Sequence, residues 1–517
     1  GAAMNKKYPK TAAVIDIGSS DLLLYIAQLQ KGRIHKLDRI TYPLSLGHEV
    51  FTEKKVSYEC FREMSKALKG FSALMKEYEV TKYYAVATTA LREAENRAFV
   101  LDQLKVQNKL NVEVLEADQE KTYVNFEILS SLKDAGALEP GCSLFAFIGT
   151  GTIGAAVYDG STMIYSQNVP IGALKLHDML YTIQNQTEDF GSVVEEYLGT
   201  ILGYQNLTQF DIHNIILIGN DMKLITRLCG AEQDNGFCRI SVKEVTKLFQ
   251  SIRSLRPDKI SQRYNLSEDV AEILYSALAI HMQIVGKTAA QQILSPQINL
   301  WDALMHQILV PKRRKEYEDY VHANAISCAR HIAENYHCDR AHTDAVREIA
   351  CTIFDRIKHL HGMGNSQRLV LELAAILHES GHYVAVKEHL GASFDIIRHT
   401  DIYGITKQDT LLAAYVARYN EYSVPDFRSV EYIAMPEADR TIIAKLVAIF
   451  RLANSLDKSR RQKIKDVTVK LKDDQMLVSA KSNENIFLEK WAFEQSSTYF
   501  KEVFGLYPVL KIRQDLI

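Results

Sequence analysis

The chain has 517 residues, 47% of them hydrophobic and 24% charged, and a formal net charge of −2 at pH 7. It is too long for a single hydrophobic core, so three or four domains are expected, and the composition is that of an ordinary soluble globular protein. The small net charge excludes a global attraction to polyanions, so a phosphate-rich ligand must be held by local groups.

The sequence does not indicate a membrane segment or a disulfide framework. No apolar run approaches the roughly 20 residues of a membrane span, and residues 4–9 lead into a strand rather than into the apolar part of a signal peptide. The seven cysteines are scattered, odd in number and without a paired spacing such as Cys-x-x-Cys. We therefore expect a cytoplasmic protein with no membrane partner.

Residues 10 to about 130 alternate strand-like and helix-like segments, which indicates a mixed sheet flanked by helices. The apolar runs predict strands at Ala12–Ile17, Leu22–Leu29, Tyr83–Ala87 and Val112–Leu115. The polar stretches between them predict helices at Tyr58–Tyr78 and Ala94–Leu104.

The same pattern restarts near residue 140. It predicts a hairpin at Leu144–Tyr158, strands at Ser161–Ser166 and Ile215–Ile218, and helices at Val242–Ile252 and Asp269–Ile284. We therefore predict two similar α/β lobes, residues 1–130 and 131–310, which form a duplicated core.

From about Pro311 to Asn420 the pattern is helical only. The remainder predicts a helix at Ala438–Leu456, strands at Val467–Leu471 and Met476–Ala480, and a helix at Ile486–Val503. These segments predict a helical domain at 311–430 and a small α+β domain at 431–517. Two basic runs, 312–315 and 458–465, are more often solvated faces or linkers than binding sites.

Each predicted lobe begins with a glycine-bearing turn between two apolar strands. The first turn contains Gly18, Ser19 and Ser20, and the second runs from Gly149 to Thr152. Small residues leave backbone N–H groups accessible to an anion. Two such turns facing each other would hold a phosphate chain between the lobes.

Five segments, taken in order, resemble the exopolyphosphatase / guanosine pentaphosphate phosphohydrolase (Ppx/GppA) family. They are Asp16–Ser19, Ala87–Asn96, Glu113–Leu115 leading to Glu120, Gly149–Thr152, and Val169–Leu176. The resemblance covers nearly the whole chain and implies an α/β fold of two actin-like (ribonuclease H-like) ATPase-fold lobes. It also implies an all-α HD-like domain and a C-terminal α+β domain, as in the longer members.

The resemblance implies hydrolysis of a terminal phosphoanhydride bond in polyphosphate or pppGpp. It assigns the catalytic base to Glu120, at the start of the helix that follows the first lobe's last strand. Asp16 is the remaining candidate for a metal-side carboxylate in the cleft. Apart from the resemblance, Glu120 is an ordinary first-turn helix carboxylate favoured by the helix dipole. The phosphate-binding residues that we expect are Gly18, Ser19, Ser20, Arg92, Gly149, Thr150, Gly151, Thr152, Gly219 and Asn220.

Several positions depart from the family pattern. Phe147 stands where the family has an aspartate that holds Mg²⁺, and Gly154 stands where it has a glutamate. The first turn has Ser20, Asp21 and Leu23 where the family has Asn-Ser and an arginine, and the third turn, usually Gly-Gly-Thr, is Gly219-Asn220-Asp221. Because phenylalanine cannot bind a metal, Mg²⁺-dependent hydrolysis is expected to be weak or absent.

The helical domain carries a related departure. HD phosphohydrolases bind metal through separated histidines and a His-Asp pair; here the pair is His378-Glu379, with His342 upstream and Asp457 downstream. His382 and His389 lie close by, although histidines in a helical bundle are more often structural. We interpret this domain as a non-catalytic HD relative.

Two functions remain open from the sequence. One is a phosphoanhydride hydrolase with Glu120 as its base, and the other is a catalytically impaired binder or sensor of polyphosphate or of guanosine tetra- or pentaphosphate. A sugar kinase or chaperone-type ATPase of the same fold is disfavoured by the HD-like appendage. No specific nucleic-acid partner is indicated, and a homodimer is neither required nor excluded.

Overall fold

The computed structural model describes residues 10–149, 152–219, 221–234, 236–421, 423–426 and 428–514. These residues form two compact units. The first comprises residues up to 162 together with 167–321, and the second comprises 163–166 together with 322 onwards. The four finer domain boundaries given above stay a prediction.

The first unit begins with a five-stranded sheet in the order β3-β2-β1-β4-β5. Its strands are β1 (Thr11–Ile17), β2 (Asp21–Gln30), β3 (Arg33–Pro43), β4 (Lys82–Ala87) and β5 (Val112–Val114). Its helices are α1 (Leu46–Glu53), α2 (Tyr58–Glu77), α3 (Thr89–Glu93), α4 (Arg97–Asn108) and α5 (Ala117–Asp134).

The central strands of this sheet are apolar on both faces because both faces are covered. Strand β1 pairs antiparallel with β2 and parallel with β4. Ile15 on one face packs with Met64 and Leu68 of α2. Val14 on the other face packs with Leu304 from the end of this unit. A strand buried on both faces reads as a continuous apolar run, which is why β1 is evident from the sequence.

A seven-stranded sheet follows in the order β10-β11-β12-β9-β6-β7-β8. Its strands are β6 (Cys142–Ile148), β7 (Ile153–Tyr158), β8 (Met163–Val169), β9 (Ile212–Gly219), β10 (Glu232–Asp234), β11 (Phe237–Ser241) and β12 (Gln292–Pro296). Its helices are α6 (Ala173–Tyr181), α7 (Phe190–Gly203), α8 (Met222–Leu228), α9 (Val242–Arg253), α10 (Pro257–Tyr264), α11 (Glu268–Val285) and α12 (Leu300–Leu309).

The two sheets repeat one connectivity. In the first, β1 lies between an antiparallel neighbour, β2, and a parallel neighbour, β4, with β3 and β5 outside them. In the second, β6 lies in the same way between β7 and β9, with β8 and β12 outside them. The two glycine turns therefore lie on separate sheets, each at the tip of the first hairpin, and the duplicated α/β fold is confirmed.

The second unit is mainly helical. Its helices are α13 (Pro311–Asn335), which begins in the first unit, then α14 (Arg340–Arg356), α15 (Lys358–His361), α16 (Asn365–Leu377), α17 (His389–His399), α18 (Lys407–Arg418), α19 (Val430–Ala434), α20 (Glu437–Ser455) and α21 (Phe487–Phe504). Its sheet joins β13 (Lys465–Lys472), β14 (Gln475–Lys481) and β15 (Tyr507–Arg513). Phe354, Phe450 and Phe500 are fully buried in one core shared by the helices and this sheet.

The predicted elements of both units agree with the observed ones within a few residues. The main omissions are the strands β3, β10 to β12 and β15 and the helices α1, α6, α7, α8, α10 and α12. Within the described part of the chain, no helix combines the length and apolar character needed to cross a membrane.

Candidate functional site

The first glycine turn joins β1 to β2 and is closed by its own backbone. The Gly18 N–H donates to the Asp21 carbonyl at 3.0 Å. The Ser19 carbonyl accepts from the Gly47 N–H at 2.7 Å, which fixes the turn against the start of α1. Because Gly18 uses its N–H inside the turn, an anion here would have to be bound by the amides of Ser19 and Ser20.

The second glycine turn closes in the same way between β6 and β7. The Gly149 N–H donates to the Thr152 carbonyl at 2.9 Å, and the Gly149 carbonyl accepts from the Ala173 N–H at 3.3 Å. Thr150 and Gly151 lie outside the described residues. Their contacts to an anion stay a prediction.

The third predicted turn follows β9. A Cβ on Gly219 would lie 2.4 Å from the Ile148 carbonyl oxygen, so the close approach of β9 to the end of β6 requires glycine. Asn220 lies outside the described residues. Asp221 precedes α8, and burial raises the pKa of its carboxyl group. A half-buried carboxyl group therefore follows this turn, in place of a small phosphate-binding residue.

Glu120 lies in the first turn of α5 and forms an ion pair with Arg92. The Arg92 Nη1 to Glu120 Oε1 distance is 3.2 Å. The same guanidinium donates to the Leu115 carbonyl and, through Nη2, to Thr89 Oγ1 at 3.2 Å. Because the arginine is fixed by three partners while the Glu120 side chain stays 27% exposed, the carboxylate is held in place and remains accessible.

The environment of Glu120 changes its proton affinity. Burial raises the pKa of its carboxyl group, and the positive charges of Arg92 and Lys121 oppose that rise. A carboxylate with a raised pKa accepts a proton more readily, as a general base requires.

Asp16, near the end of β1, is the most perturbed acid of this region. Burial, the nearby Glu120 charge and the Asp21 charge raise its pKa to about 7. Its Oδ1 atom is buried and has no hydrogen-bond partner among the described residues. An orphaned carboxylate oxygen beside two further carboxylates suits a hard divalent cation such as Mg²⁺.

The opposite side of this site lacks such a ligand. Phe147, which the resemblance places at the family's metal-ligand position, lies on β6, and the Lys121 ammonium lies 4.8 Å from the centre of its ring. The Lys121 Nζ atom also lies 3.5 Å from where a Cβ of Gly154 would be. On the second sheet, the two positions for which the resemblance implies acids thus hold an apolar ring and a glycine, and both lie beside Lys121.

The site residues thus fall into two groups. The first group joins Asp16 and Asp21 of the first sheet, Glu120 of α5, which affects Asp16, and Arg92 of α3, which pairs with Glu120. Lys121, which the sequence reasoning did not single out, connects α5 to Phe147 on the second sheet. One indication of this role was present in the sequence, namely that Lys121 directly follows the predicted base, Glu120.

The two basic runs are engaged by acidic side chains. In the first, Arg313 pairs with the buried Glu127 at 3.1 Å, and Lys312 and Arg314 form i,i+4 pairs along α13. In the second, Lys458 pairs with Glu421 at 3.8 Å. These contacts favour the structural interpretation of both runs.

The four metal-type residues of the second unit lie together, and all are buried. His342 Nδ1 lies 2.6 Å from Asp457 Oδ2, and His342 Nε2 lies 3.4 Å from Glu379 Oε1. His378 Nε2 lies 4.0 Å from the same Glu379 oxygen. Burial, followed by the proximity of His342, lowers the pKa of His378 well below its ordinary value, which favours the neutral imidazole.

His382 and His389 do not join this cluster as ligands. Their rings stack on each other with centres 4.1 Å apart, and His389 Nε2 lies 3.6 Å from Glu421 Oε2. The cluster lies in the second unit, whereas the site around Glu120 lies in the first.

Comparison with known proteins agrees with this architecture. The family model for the Ppx/GppA phosphatase family matches residues 25–295, and the model for Ppx/GppA phosphatase domain III matches residues 326–497. A crystal structure of the Aquifex aeolicus Ppx/GppA family member is 20% identical, with 59% of this chain and 99% of that chain covered and a TM-score of 0.50.

A second structure, of the Aquifex aeolicus PPX-GPPA enzyme, is 21% identical, with 58% of this chain and 99% of that chain covered and a TM-score of 0.50. At these identities the two structures support the fold alone. The first family model spans more than half of the chain and includes β6, β9 and α5. This chain belongs to the Ppx/GppA phosphatase family.

Proposed function

We propose that this chain hydrolyses the terminal phosphoanhydride bond of polyphosphate or of guanosine pentaphosphate, with Glu120 as the general base. The observation that carries the proposal is the Glu120 carboxylate itself. It is held by Arg92 at 3.2 Å, is partly exposed, has a pKa raised by burial, and lies near the half-buried Asp16.

The reaction requires little covalent chemistry from the protein. A water oxygen attacks the terminal phosphorus, the bond to the bridging oxygen breaks, and the shortened phosphate chain leaves with the electron pair. Glu120 accepts the proton of the attacking water through a carboxylate oxygen. Arg92 keeps that oxygen in position through the ion pair, which limits the cost of orienting the base.

Charge on the phosphate oxygens must be neutralised during this step. Lys121 supplies a positive charge toward the second sheet, and Ser19 and Ser20 supply backbone amides. Asp16, with Glu120 and Asp21 close by, would hold a Mg²⁺ ion. When bound, Mg²⁺ supplies further neutralisation of the transferring phosphoryl group.

A second candidate function is binding of the same polyanions without turnover. Phe147 beside Lys121 favours it, because an ammonium group from α5 lies against the second sheet where a metal ligand would be needed. A site that neutralises phosphate by lysine and amides alone can bind the substrate while stabilising the transition state poorly.

The deciding experiment measures phosphate release from polyphosphate and from pppGpp, each with and without Mg²⁺. Glu120→Gln is expected to lower turnover by about 10²- to 10⁴-fold while leaving substrate binding nearly unchanged. The matched control is Asp134→Asn, which neutralises an exposed carboxylate at the other end of α5.

Turnover that survives Glu120→Gln would remove Glu120 as the base. Tight binding of either substrate by the unmodified chain, without phosphate release under any of these conditions, would establish the second candidate instead.

A further inference from the structure

The small sheet of the second unit, β13-β14-β15, has one face on the core and one face toward solvent. Met476, Val478 and Ala480 of β14 are fully buried in the core of this unit. The alternate residues of β14 point the other way, because side chains along a strand alternate between the two faces of a sheet. Their cross-strand partners extend this outer face over all three strands.

The outer face is strongly basic. The three strands contain six lysine or arginine residues and a single carboxylate, Asp466. All six cationic side chains are exposed; they are Lys465, Lys470, Lys472, Lys481, Lys511 and Arg513. Lys481 lies 4.0 Å from Asp466, and the other five form no ion pair with the described residues. Because the whole chain has a net charge of −2, this face is a local concentration of positive charge.

The strand register places like charges opposite one another at one end of the face. Lys465 is the cross-strand partner of Lys481, and Lys481 is the partner of Arg513, so one row of the sheet consists of three cations. Like charges at opposed positions destabilise a sheet. An anion bound along this row would relieve the repulsion, whereas a second copy of the same face would add to it.

The other end of the face carries an apolar patch. Leu477 and Val509 are cross-strand partners and are partly exposed. Tyr507, two residues before Val509, is 46% exposed, and the Lys501 ammonium of α21 lies 5.7 Å from the centre of its ring. On the opposite side of the patch, Lys470 is the cross-strand partner of Leu477. Cations therefore border an aromatic and aliphatic surface.

We propose that the outer face of β13-β14-β15 binds single-stranded nucleic acid independently of base sequence. The cations contact backbone phosphates, and Tyr507, Leu477 and Val509 contact the bases, since every base has a flat face that stacks on an aromatic ring. Stacking of unpaired bases on the open face of a small sheet is one of the ways in which proteins bind RNA. Inorganic polyphosphate would use the cations but not the apolar patch. This binding is separate from the proposed hydrolysis, because the sheet lies in the second unit.

The test measures binding of the full chain to fluorescein-labelled oligouridine and oligothymidine by fluorescence anisotropy over a range of salt concentrations. The triple variant Lys470→Gln, Lys511→Gln and Arg513→Gln removes three cations from the face. It should bind both probes less tightly and lower the slope of log affinity against log salt by about 2, since each neutralised phosphate of a single strand contributes roughly 0.7. Binding of either probe at this face supports the proposal, and a preference for oligouridine would show that the ribose hydroxyl is recognised.

Two matched controls accompany the triple variant. Exchanging the same three residues for the other basic type, with Lys470→Arg, Lys511→Arg and Arg513→Lys, keeps the charge and should keep the affinity. The second control replaces three exposed lysines of α2 by glutamine and should bind like the unmodified chain; they are Lys66, Lys69 and Lys76.

Tyr507→Leu separates base stacking from charge. It should weaken the binding of both oligonucleotides about tenfold, the loss expected when one stacked base loses its aromatic partner. The affinity for unlabelled polyphosphate, measured as a competitor, should stay the same.

Equal affinity and equal salt slope in the triple variant and the unmodified chain would overturn the proposal. Unchanged oligonucleotide binding by Tyr507→Leu would also overturn it, because the face would then bind polyanions by charge alone. A dimer of the unmodified chain that dissociates in the triple variant would do the same, because a second copy would then cover this face.

Discussion

Replacement of Asp16 by asparagine tests the electrostatic description of the first site. Burial, the Glu120 charge and the Asp21 charge raise the pKa of Asp16 from 3.8 to about 7. Because the folded-state pKa lies above the unfolded value, the unfolded state loses this proton first as the pH rises. The free energy of unfolding should therefore fall between about pH 4 and pH 7, in total by on the order of 4 kcal/mol.

Asp16→Asn removes the titrating group and with it this pH dependence. Below pH 4 the variant and the unmodified chain should be nearly equally stable, and at pH 8 the variant should be more stable by up to about 4 kcal/mol. The measurement is urea denaturation from pH 4 to pH 8, combined with hydrogen exchange of the β1 and β2 amides. Asp102→Asn, an exposed carboxylate on α4, is the control.

Magnesium gives this experiment a second readout. A cation that binds ionised Asp16 should recover stability in the unmodified chain at pH 8 and have little effect on Asp16→Asn. Equal destabilisation of Asp16→Asn at pH 4 and pH 8 would contradict this prediction. The carboxyl group would then make a stabilising contact at both pH values, instead of carrying an unfavourable charge at high pH.

Three other predictions address the remaining contacts. Phe147→Asp should raise Mg²⁺-dependent phosphate release at least tenfold, which is about 1.4 kcal/mol of transition-state stabilisation. Phe147→Leu, the control, should not raise it. An unchanged rate in the aspartate variant would show that a missing metal ligand at this position does not limit the rate of phosphate release. Arg92→Ala should weaken polyphosphate binding at low salt, and unchanged affinity in a filter-binding assay would remove Arg92 from the phosphate site. Glu372→Gln should destabilise the second unit by about 3 kcal/mol, because the 2%-exposed carboxylate binds Arg347 at 2.8 Å and Arg368 at 3.1 Å; unchanged thermal unfolding of the full chain would contradict this.

Much of the fold could be predicted because its central strands are continuous apolar runs in the sequence. Strands β1 and β6 are apolar along their length since both faces of each sheet are covered, and each precedes a glycine turn. Strand β3, Arg33–Pro43, was missed because it is an outer strand with alternating exposed positions and several charged residues. Such a segment resembles a loop until its pairing with β2 is known.

Individual residues of the candidate site could be predicted from their own sequence segments, but the contacts between segments could not. Glu120 and Arg92 were placed by resemblance, and their ion pair is a tertiary consequence of β4 and β5 being neighbours. The ion pair of Arg460 with Glu379 had no such signal, because the two residues lie on elements far apart in the sequence. The histidines and acids of that cluster could be named from the sequence, but their counter-charge could not.

The first turns of α5 decide the charge balance of the site near Asp16. Glu120 and Lys121 are consecutive, so their side chains point about 100° apart on the helix. Glu120 pairs with Arg92 beside β4 of the first sheet, and Lys121 lies over Phe147 on β6 of the second sheet. Helix α5 thus places the negative charge of Glu120 beside the first sheet and the positive charge of Lys121 beside the second. Replacing the lysine charge by a metal would require a carboxylate at position 147, whereas with Phe147 in place the proposed function assigns phosphate neutralisation on that side to Lys121. Under the proposed function, the rate of hydrolysis would depend on how well an ammonium group on α5 substitutes for a cation held by the second sheet.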